Sequence, residues 1–327
     1  MSRLRVFITR CLPTDLQPLQ QIADVEVWTE RRPPPYEILL AKVKEIDGLL
    51  CLLSDRIDRQ LIEAATSLKV ISQMAVGYDN VDVSSATARG IPVGHTPGVL
   101  TDATADFTWA LLMAAARRIV EADKFTRALQ WQTWEPDLLL GADIAGATLG
   151  IVGLGRIGQA VARRARGFEM RIIYTSRKRC EPKLEVSLGV EFVSFERLLQ
   201  ESDFVSIHTP LTADTYHLFG ASQLALMKPS AILINTARGP IVDPHALYQA
   251  LSCGQIAGAA IDVTEPEPIP ADSPLLSLDN LIITPHIGSA SRQTRKKMAD
   301  IAIENAIAGL QKRRLPYCVN PEVYENL

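Results

Sequence analysis

The sequence predicts an α/β fold made of two doubly wound parallel sheets. Short apolar runs alternate with helix-like segments from Leu4 to Thr96, and the same alternation restarts at Ala147. This rhythm is typical of parallel sheets that are covered by helices on both faces. The length of 327 residues, about twice that of a typical domain, also favours two domains.

Five apolar runs predict the strands of the first sheet, and the segments between them have apolar residues at helical spacing. The runs span residues 4–8, 25–28, 48–53, 69–74 and 91–94. A long connecting helix should then begin with Thr101 or Asp102 as its cap and continue from Ala103 to about Arg127. The loop that follows contains Trp131 and Trp134.

Six further apolar runs predict the second sheet. They span residues 149–152, 171–174, 204–208, 231–235, 258–261 and 281–283. A last helix is expected over about 291–310. We therefore expect one sheet before the connecting helix and a second doubly wound sheet after it.

Composition excludes several classes of function. A formal net charge of −3 gives no general attraction to nucleic acid or to an anionic membrane. The longest apolar stretch, residues 107–116, is too short to span a membrane, and the amino terminus shows no export signal. Five widely spaced cysteines without a Cys-x-x-Cys pair favour reduced thiols in the cytoplasm, mostly in the core. We expect no metal site.

A glycine motif predicts dinucleotide binding. Gly153-Leu-Gly155-Arg156-Ile157-Gly158 follows an apolar run and opens a helix-like segment. In such a motif the first glycine makes the turn, the second lets the backbone approach a pyrophosphate, and the third allows close packing of helix and strand. A merely structural glycine turn is the alternative.

The end of the next strand favours NADP(H) over NAD(H). NAD sites carry an acidic residue there to bind the ribose hydroxyls. This chain instead has Ser176, followed by Arg177, Lys178 and Arg179. A hydroxyl and cations suit a 2′-phosphate. The alternative is a solvated basic loop, and NADH stays possible.

Polar residues follow three successive strands of the second sheet. Arg238 follows the first of these strands, Asp262 and Glu267 follow the second, and His286 follows the third. Ligands of open α/β sheets bind beyond the carboxyl ends of the strands. Arginine can hold a carboxylate through two parallel hydrogen bonds, and a histidine beside a carboxylate can transfer a proton near neutral pH. These residue types predict acid–base chemistry on a carboxylate substrate.

Together these segments closely resemble the D-isomer-specific 2-hydroxyacid dehydrogenase family, and within it the glyoxylate/hydroxypyruvate reductases. The resemblance runs nearly end to end. It includes the glycine motif and the segments around Arg238, Glu267 and His286, together with Val76-Gly-Tyr-Asp-Asn80, Thr96-Pro-Gly-Val-Leu-Thr101, Ala103-Thr-Ala-Asp106 and His208-Thr-Pro-Leu211.

The resemblance implies a role for each matching residue. Arg238 would bind and orient a 2-oxoacid, His286 would donate the proton, and Glu267, rather than Glu265, would keep that histidine protonated. Backbone amides at Val76 and Gly77 would receive the substrate carboxylate, and Leu53 would contact substrate. The implied cofactor-lining residues outside the glycine motif and Ser176–Lys178 are Thr104, Pro210, Thr236, Asp262 and Gly288.

The resemblance also implies two Rossmann-like domains with the active site in the cleft between them. Residues 1–99 and 289–327 would form the substrate-binding domain, and residues 100–288 the dinucleotide-binding domain. The implied reaction is NADPH-dependent reduction of glyoxylate or hydroxypyruvate to glycolate or D-glycerate, with no nucleic-acid or membrane partner. Trp134 resembles a tryptophan that reaches into the neighbouring subunit's active site in related reductases, which implies a homodimer and a substrate-binding role for Trp134; packing within its own chain is the alternative.

Two other functions stay open at this point. The chain could reduce a different 2-oxoacid, possibly with NADH. It could also be a nucleotide-sensing binding protein, because the family includes transcriptional corepressors that keep the fold and the Arg–Glu–His set. The basic residues after Ser176 favour a reductase over such a sensor.

Overall fold

The computed structural model describes residues 3–325, which form two compact units. Unit 1 comprises the chain up to Leu100 and again from Ala290, and unit 2 comprises Thr101–Ser289. Both contain parallel sheets with helices, so the predicted α/β fold class is confirmed. No helix within residues 3–325 is long and apolar enough to cross a membrane.

The first part of unit 1 alternates strands and helices as predicted. Its elements are β1 (Leu4–Ile8), α1 (Gln17–Gln20), β2 (Ala23–Val27), α2 (Tyr36–Lys42), β3 (Gly48–Cys51), α3 (Arg59–Ala64), β4 (Val70–Gln73), α4 (Val83–Ala88) and β5 (Val93–Gly94). The strands pair in the order β2-β1-β3-β4-β5, and all pairs are parallel. Strands β3 and β4 are buried at every residue, as is typical of a parallel sheet that is covered by helices on both faces.

Unit 2 begins with two helices where the sequence predicts one. These are α5 (Thr101–Ala116) and α6 (Ile119–Arg127), separated by Arg118 in the left-handed region with φ of 51°. The Ala116 carbonyl accepts a hydrogen bond from the backbone N–H of Ala142 at 2.8 Å. The loop therefore satisfies a carbonyl that a continuous helix would have used, and the prediction of a single helix to Arg127 is wrong.

The rest of unit 2 forms a seven-stranded parallel sheet in the order β12-β11-β10-β9-β6-β7-β8. Its elements are β6 (Thr148–Val152), α7 (Arg156–Ala165), β7 (Arg171–Thr175), α8 (Pro182–Leu188), β8 (Val190–Phe192), α9 (Phe195–Glu201), β9 (Phe204–Ile207), α10 (Ala221–Ala225), β10 (Ile232–Asn235), α11 (Pro244–Ser252), β11 (Gly258–Ile261) and β12 (Leu281–Ile283). The sequence missed β8, an edge strand of three residues, because the exposed Glu191 at its centre interrupts the apolar run.

Helix α12 (Arg292–Leu310) belongs to unit 1, and the predicted start near residue 291 is correct because the Ser291 side chain caps it. The helix packs on the sheet of this unit. Ser72 of β4 donates a hydrogen bond to the Ala302 carbonyl at 2.7 Å, and a Cβ on Gly309 would collide with Val70. The last helix therefore completes the domain that the first hundred residues begin.

The expectation that most cysteines lie in the core is wrong. Cys51 is buried, whereas Cys11 and Cys253 are exposed and the other two are half-buried. All five are free thiols. Their exposure follows from their positions, because Cys253 is the C-cap of α11 and Cys11 lies in the loop between β1 and α1.

Candidate active site

The glycine motif connects β6 to α7 and leaves a backbone surface open. Gly153 has a φ of +98°, which a side chain rarely tolerates, and a Cβ there would lie 2.8 Å from the backbone of His208. A Cβ on Gly158 would collide with the Gly153 carbonyl, so this glycine allows the helix to start close to the strand. Gly155 has open space where its Cβ would be.

The start of α7 is built to receive an anion. Gly155 is the N-cap and supplies no side-chain acceptor, and Arg156 and Ile157 form the first turn. The backbone N–H groups of a helix start need acceptors, and a bound phosphate supplies them. These residues therefore fit a dinucleotide, both in the open surface at Gly155 and in the donors of the first helical turn.

The predicted 2′-phosphate loop follows β7, which pairs with β6 in parallel. The Ser176 hydroxyl donates to the Lys178 carbonyl at 2.5 Å, which shapes a turn, and the side chains of Arg177 and Lys178 are exposed. Arg179 instead faces α8, where it binds both oxygens of Glu185 at 2.7 and 2.8 Å. Of the three cations that follow Ser176 in sequence, Arg179 is therefore paired with a carboxylate, although its side chain stays 61% exposed.

Glu185 holds that loop in place through its side-chain carboxylate. Its carboxylate also accepts a hydrogen bond from the Tyr174 hydroxyl at 2.7 Å. The hydrogen bonds from Arg179 and then from Tyr174 lower the pKa of Glu185 to about 2. The carboxylate therefore stays charged and paired with Arg179 across the neutral range.

Three of the predicted cofactor-lining residues lie together at the carboxyl end of the sheet. A Cβ on Gly288 would lie 3.1 Å from Oδ2 of Asp262 and 3.5 Å from Cγ2 of Thr104. Thr236 directly follows β10, and its hydroxyl hydrogen-bonds the Thr108 hydroxyl at 2.8 Å. Pro210 lies on an exposed loop after β9.

Asp262 supports the turn that carries His286. Its side chain is 2% exposed and accepts hydrogen bonds from the Thr284 hydroxyl and from the backbone N–H groups of Ile287 and Gly288, at 2.6, 2.8 and 2.7 Å. The His286 N–H donates to the Asp262 carbonyl at 2.9 Å. This turn holds His286 in the left-handed region, with a φ of 54°.

His286 and Glu267 form a direct pair. Nδ1 of His286 lies 2.6 Å from Oε1 of Glu267, and the two side chains are 22% and 35% exposed. Because the carboxylate accepts at Nδ1, that nitrogen carries a proton and Nε2 is the nitrogen that can act on a ligand. The pair has the geometry of an oriented proton donor.

The arginine segment is shaped by the end of β10. The Asn235 side chain donates to the Arg238 carbonyl at 2.9 Å and accepts from the Ala237 N–H at 3.0 Å. A Cβ on Gly239 would collide with the Thr264 carbonyl, so the segment after β10 packs directly on the segment after β11. Strands β10, β11 and β12 are neighbours, so Arg238, Glu267 and His286 follow adjacent carboxyl ends of one sheet.

Unit 1 places its predicted substrate residues on two loops that share one polar network. Gln73 donates to the Gly77 carbonyl at 3.2 Å and to the side chain of Asn80. Asn80 in turn donates to the Leu52 carbonyl at 3.1 Å, one residue before Leu53. The Val76 carbonyl lies 3.0 Å from Nδ1 of His95. The network fixes the loops of Leu53, Val76 and Gly77, and sequence spacing alone gave no sign of it.

Trp134 is 80% exposed and Trp131 is 62% exposed within the single chain. This argues against packing of Trp134 inside its own chain. Leu129 and Leu140, which flank this loop, are 88% and 65% exposed. No group of three or more His, Cys, Asp or Glu side chains in the described part of the chain is arranged to hold a metal ion.

Sequence reasoning missed a second histidine–carboxylate pair. Nε2 of His217 lies 2.6 Å from Oε2 of Glu265, whose other oxygen accepts from the Tyr216 hydroxyl at 3.2 Å. The residues lie 48 positions apart in sequence. A lone histidine in a loop gives no signal of this contact.

Comparison with known proteins identifies a matching family. Residues 109–288 match the family described as "D-isomer specific 2-hydroxyacid dehydrogenase, NAD binding domain". A protein of Korarchaeum cryptofilum named glyoxylate reductase is 53% identical over 98% of this chain and 96% of its own. A glyoxylate reductase of Thermococcus litoralis is 51% identical over 98% of this chain and 97% of its own.

Solved structures agree over the whole length. A Thermus thermophilus protein superposes with a TM-score of 0.91 at 49% identity, covering 97% of this chain and all of that one. An NADPH-dependent glyoxylate/hydroxypyruvate reductase of Sinorhizobium meliloti, solved with NADP and malonate, gives a TM-score of 0.86 at 32% identity and covers 98% of both chains.

Proposed function

Because the chain belongs to the D-isomer specific 2-hydroxyacid dehydrogenase family, we propose that it reduces glyoxylate and hydroxypyruvate to glycolate and D-glycerate with NADPH. The observation that carries the proposal is the 2.6 Å contact between His286 and Glu267 beside the arginine segment. The names of the glyoxylate reductases at about half identity support the substrate class.

The proposed chemistry divides between the two ends of the oxoacid. Bound NADPH supplies the hydride that reaches C2. Arg238 binds the carboxylate and orients the ketone or aldehyde carbon. His286 gives the proton on Nε2 to the developing alkoxide oxygen, while Glu267 at Nδ1 holds the ring and stabilises its positive charge.

We propose that unit 2 binds the nucleotide and unit 1 binds substrate. The proposed nucleotide residues are those of the glycine motif, the loop after β7 and the lining set of Thr104, Pro210, Thr236, Asp262 and Gly288. In unit 1, the backbone amides of Val76 and Gly77 receive the substrate carboxylate and Leu53 contacts the substrate. The ordered loops held by Gln73 and Asn80 support this assignment.

The proposed preference for NADPH rests on the loop after β7. The Ser176 hydroxyl and the exposed Arg177 and Lys178 offer donors and positive charge, and no acid stands at the strand end to repel a 2′-phosphate. The reported NADPH dependence of the Sinorhizobium meliloti relative supports the same preference.

We also propose that the chain forms a homodimer in which Trp134 packs against the second copy. The support is the concentration of exposed large apolar side chains in and around the 129–140 loop. Exposed apolar patches of this kind mark contact surfaces. Sedimentation velocity of the wild type should give the mass of two chains, and Trp134→Ala should shift the equilibrium towards one.

His286→Ala tests the proposed chemistry. We expect kcat to fall at least about 10²-fold, the lower range for general acid catalysis, with the dissociation constant for NADPH unchanged. His245→Ala is a matched control, since His245 is exposed on α11 of the same unit and should leave kcat unaltered. Near-normal turnover of His286→Ala would contradict the assignment.

A further inference from the structure

His217 and Glu265 form a second histidine–carboxylate pair, in which Glu265 lies two residues before the proposed catalytic Glu267. We call them the outer pair. Both oxygens of Glu265 have donors, Nε2 of His217 at 2.6 Å and the Tyr216 hydroxyl at 3.2 Å. The rings of Tyr216 and His217 stack at 4.0 Å, which restricts the imidazole to one orientation. The proposed reaction assigns this pair no part.

The backbone of His217 contacts the segment that carries Arg238. The His217 N–H donates to the Pro240 carbonyl at 2.8 Å, two residues after Arg238. Two residues further on, the Phe219 N–H donates to the Ile241 carbonyl at 3.0 Å. His217 has a φ of 49°, in the left-handed region. From this conformation its backbone N–H contacts one segment and its ring contacts another.

The ring of His217 contacts the segment that carries Glu267. Glu265 lies two residues before Glu267, and Pro266 stands between them. Proline fixes its own φ, so few soft backbone dihedrals separate Glu265 from Glu267, and the side chain of each glutamate is held by its own histidine contact. Holding Glu265 in place therefore limits how far Glu267 can move away from His286.

We propose that the outer pair positions the active site by tying the Arg238 segment to the Glu267 segment. His217 reaches the first segment through its backbone and the second through its ring. The direct packing of Gly239 on Thr264 shows that the two segments already lie in contact, and the outer pair fixes that contact from the solvent side. This inference rests on the proposed function, because it assigns the pair a role in that reaction.

A merely stabilising surface pair is the competing interpretation. The side chains of His217 and Glu265 are 31% and 25% exposed, and a partly solvated side-chain contact of this kind contributes only modestly to stability. A positioning role predicts something different. Small displacements of catalytic groups cost far more in rate than in stability, up to about 10²-fold for about 1 Å.

The test compares His217→Leu with His217→Gln. Leucine removes the donor to Glu265 and keeps the backbone N–H, whereas glutamine keeps a side-chain donor. We expect His217→Leu to lower kcat about 10-fold and to raise the KM for glyoxylate several-fold, because both segments loosen. The NADPH dissociation constant and the Tm should stay near wild type, and His217→Gln should recover most of kcat.

A double-variant cycle separates the pair from each residue alone. If His217 and Glu265 act through their mutual contact, His217→Leu combined with Glu265→Leu should lose no more kcat/KM than the worse single variant. Losses that multiply would overturn the proposal. Tyr216→Phe, which keeps the 2.6 Å contact, serves as a mild variant and should lose less than threefold in kcat.

Two results would overturn the positioning role. One is a His217→Leu variant with kcat and KM within twofold of wild type. The other is a loss of kcat in His217→Leu that glutamine does not recover or that follows a matching fall in Tm. His286→Ala is measured in parallel: if it also turns over normally, the proposed function itself has failed, whereas an inactive His286→Ala beside a normal His217→Leu refutes only the positioning role.

Discussion

Replacing Asp262 with asparagine should destabilise unit 2 by removing one acceptor from the turn that holds His286. The carboxylate of Asp262 accepts at Oδ1 from Thr284 and Ile287 and at Oδ2 from the Gly288 N–H. An amide can keep the two bonds at its oxygen. Its NH₂ group cannot accept from Gly288, so a buried N–H loses its partner.

The expected cost follows from the burial of that contact. Asp262 is 2% exposed, and a hydrogen bond to a charged group contributes about 1.5–3 kcal/mol. For a unit of 150–250 residues, each kcal/mol lowers the Tm by about 2–4 °C. We therefore expect Asp262→Asn to lower the Tm of unit 2 by roughly 3–12 °C, measured by scanning calorimetry without cofactor.

Asp243→Asn is the matched control. Asp243 caps α11, and its Oδ1 accepts both backbone hydrogen bonds, from His245 and Ala246. Asparagine keeps that oxygen and caps helices as well as aspartate does. The control should leave the Tm nearly unchanged. If Asp262→Asn melts together with the control, the turn does not depend on the second carboxylate oxygen and the reasoning is refuted.

Two further predictions concern packing and pH. Gly158→Ala should destabilise the protein by about 1–3 kcal/mol in urea unfolding, because its Cβ would collide with the Gly153 carbonyl. Gly155→Ala, whose Cβ would lie in open space, should keep the stability of the wild type and weaken NADPH binding. Equal stability of the two variants would contradict this reasoning. Burial lowers the pKa of His208 to about 3, against 6.5 when unfolded, so between these values only the unfolded chain takes up the proton and stability falls with falling pH. His208→Gln should reduce this pH dependence of the free energy of unfolding by up to about 1 kcal/mol per pH unit, measured by urea unfolding at pH 7, 6 and 5. If the free energies of unfolding of variant and wild type change with pH in parallel, His208 is not the group that causes the loss of stability.

Much of the fold could be predicted because local patterns determine it. The runs at 4–8 and 258–261 match β1 and β11 at both ends, because every residue of β11 and the last three residues of β1 are buried and apolar. The break between α5 and α6 could not be predicted. It depends on the hydrogen bond that the N–H of Ala142 donates to the carbonyl of Ala116, 26 residues earlier. The apolar periodicity within the helix gives no sign of this contact.

The candidate site, like the fold, could be predicted only in part. The glycine motif could be predicted from its spacing, and the family resemblance implied Glu267 rather than Glu265; the structure brings Glu267 to His286 and Glu265 to His217. The pairing of Arg179 could not be predicted, because it depends on Glu185, six residues away on α8. Side-chain contacts such as this one decide which charged groups stay available for a ligand, and residue type alone does not reveal them.

The most direct test of the proposed reductase is a steady-state assay that follows the absorbance of the nicotinamide. NADPH and NADH are each paired with glyoxylate, hydroxypyruvate and pyruvate, and kcat/KM is determined for every pair. The account predicts the highest values for NADPH with glyoxylate and hydroxypyruvate. Turnover with NADH alone would contradict the role given to Ser176, Arg177 and Lys178, and an absence of turnover with every pair would contradict the proposed reaction.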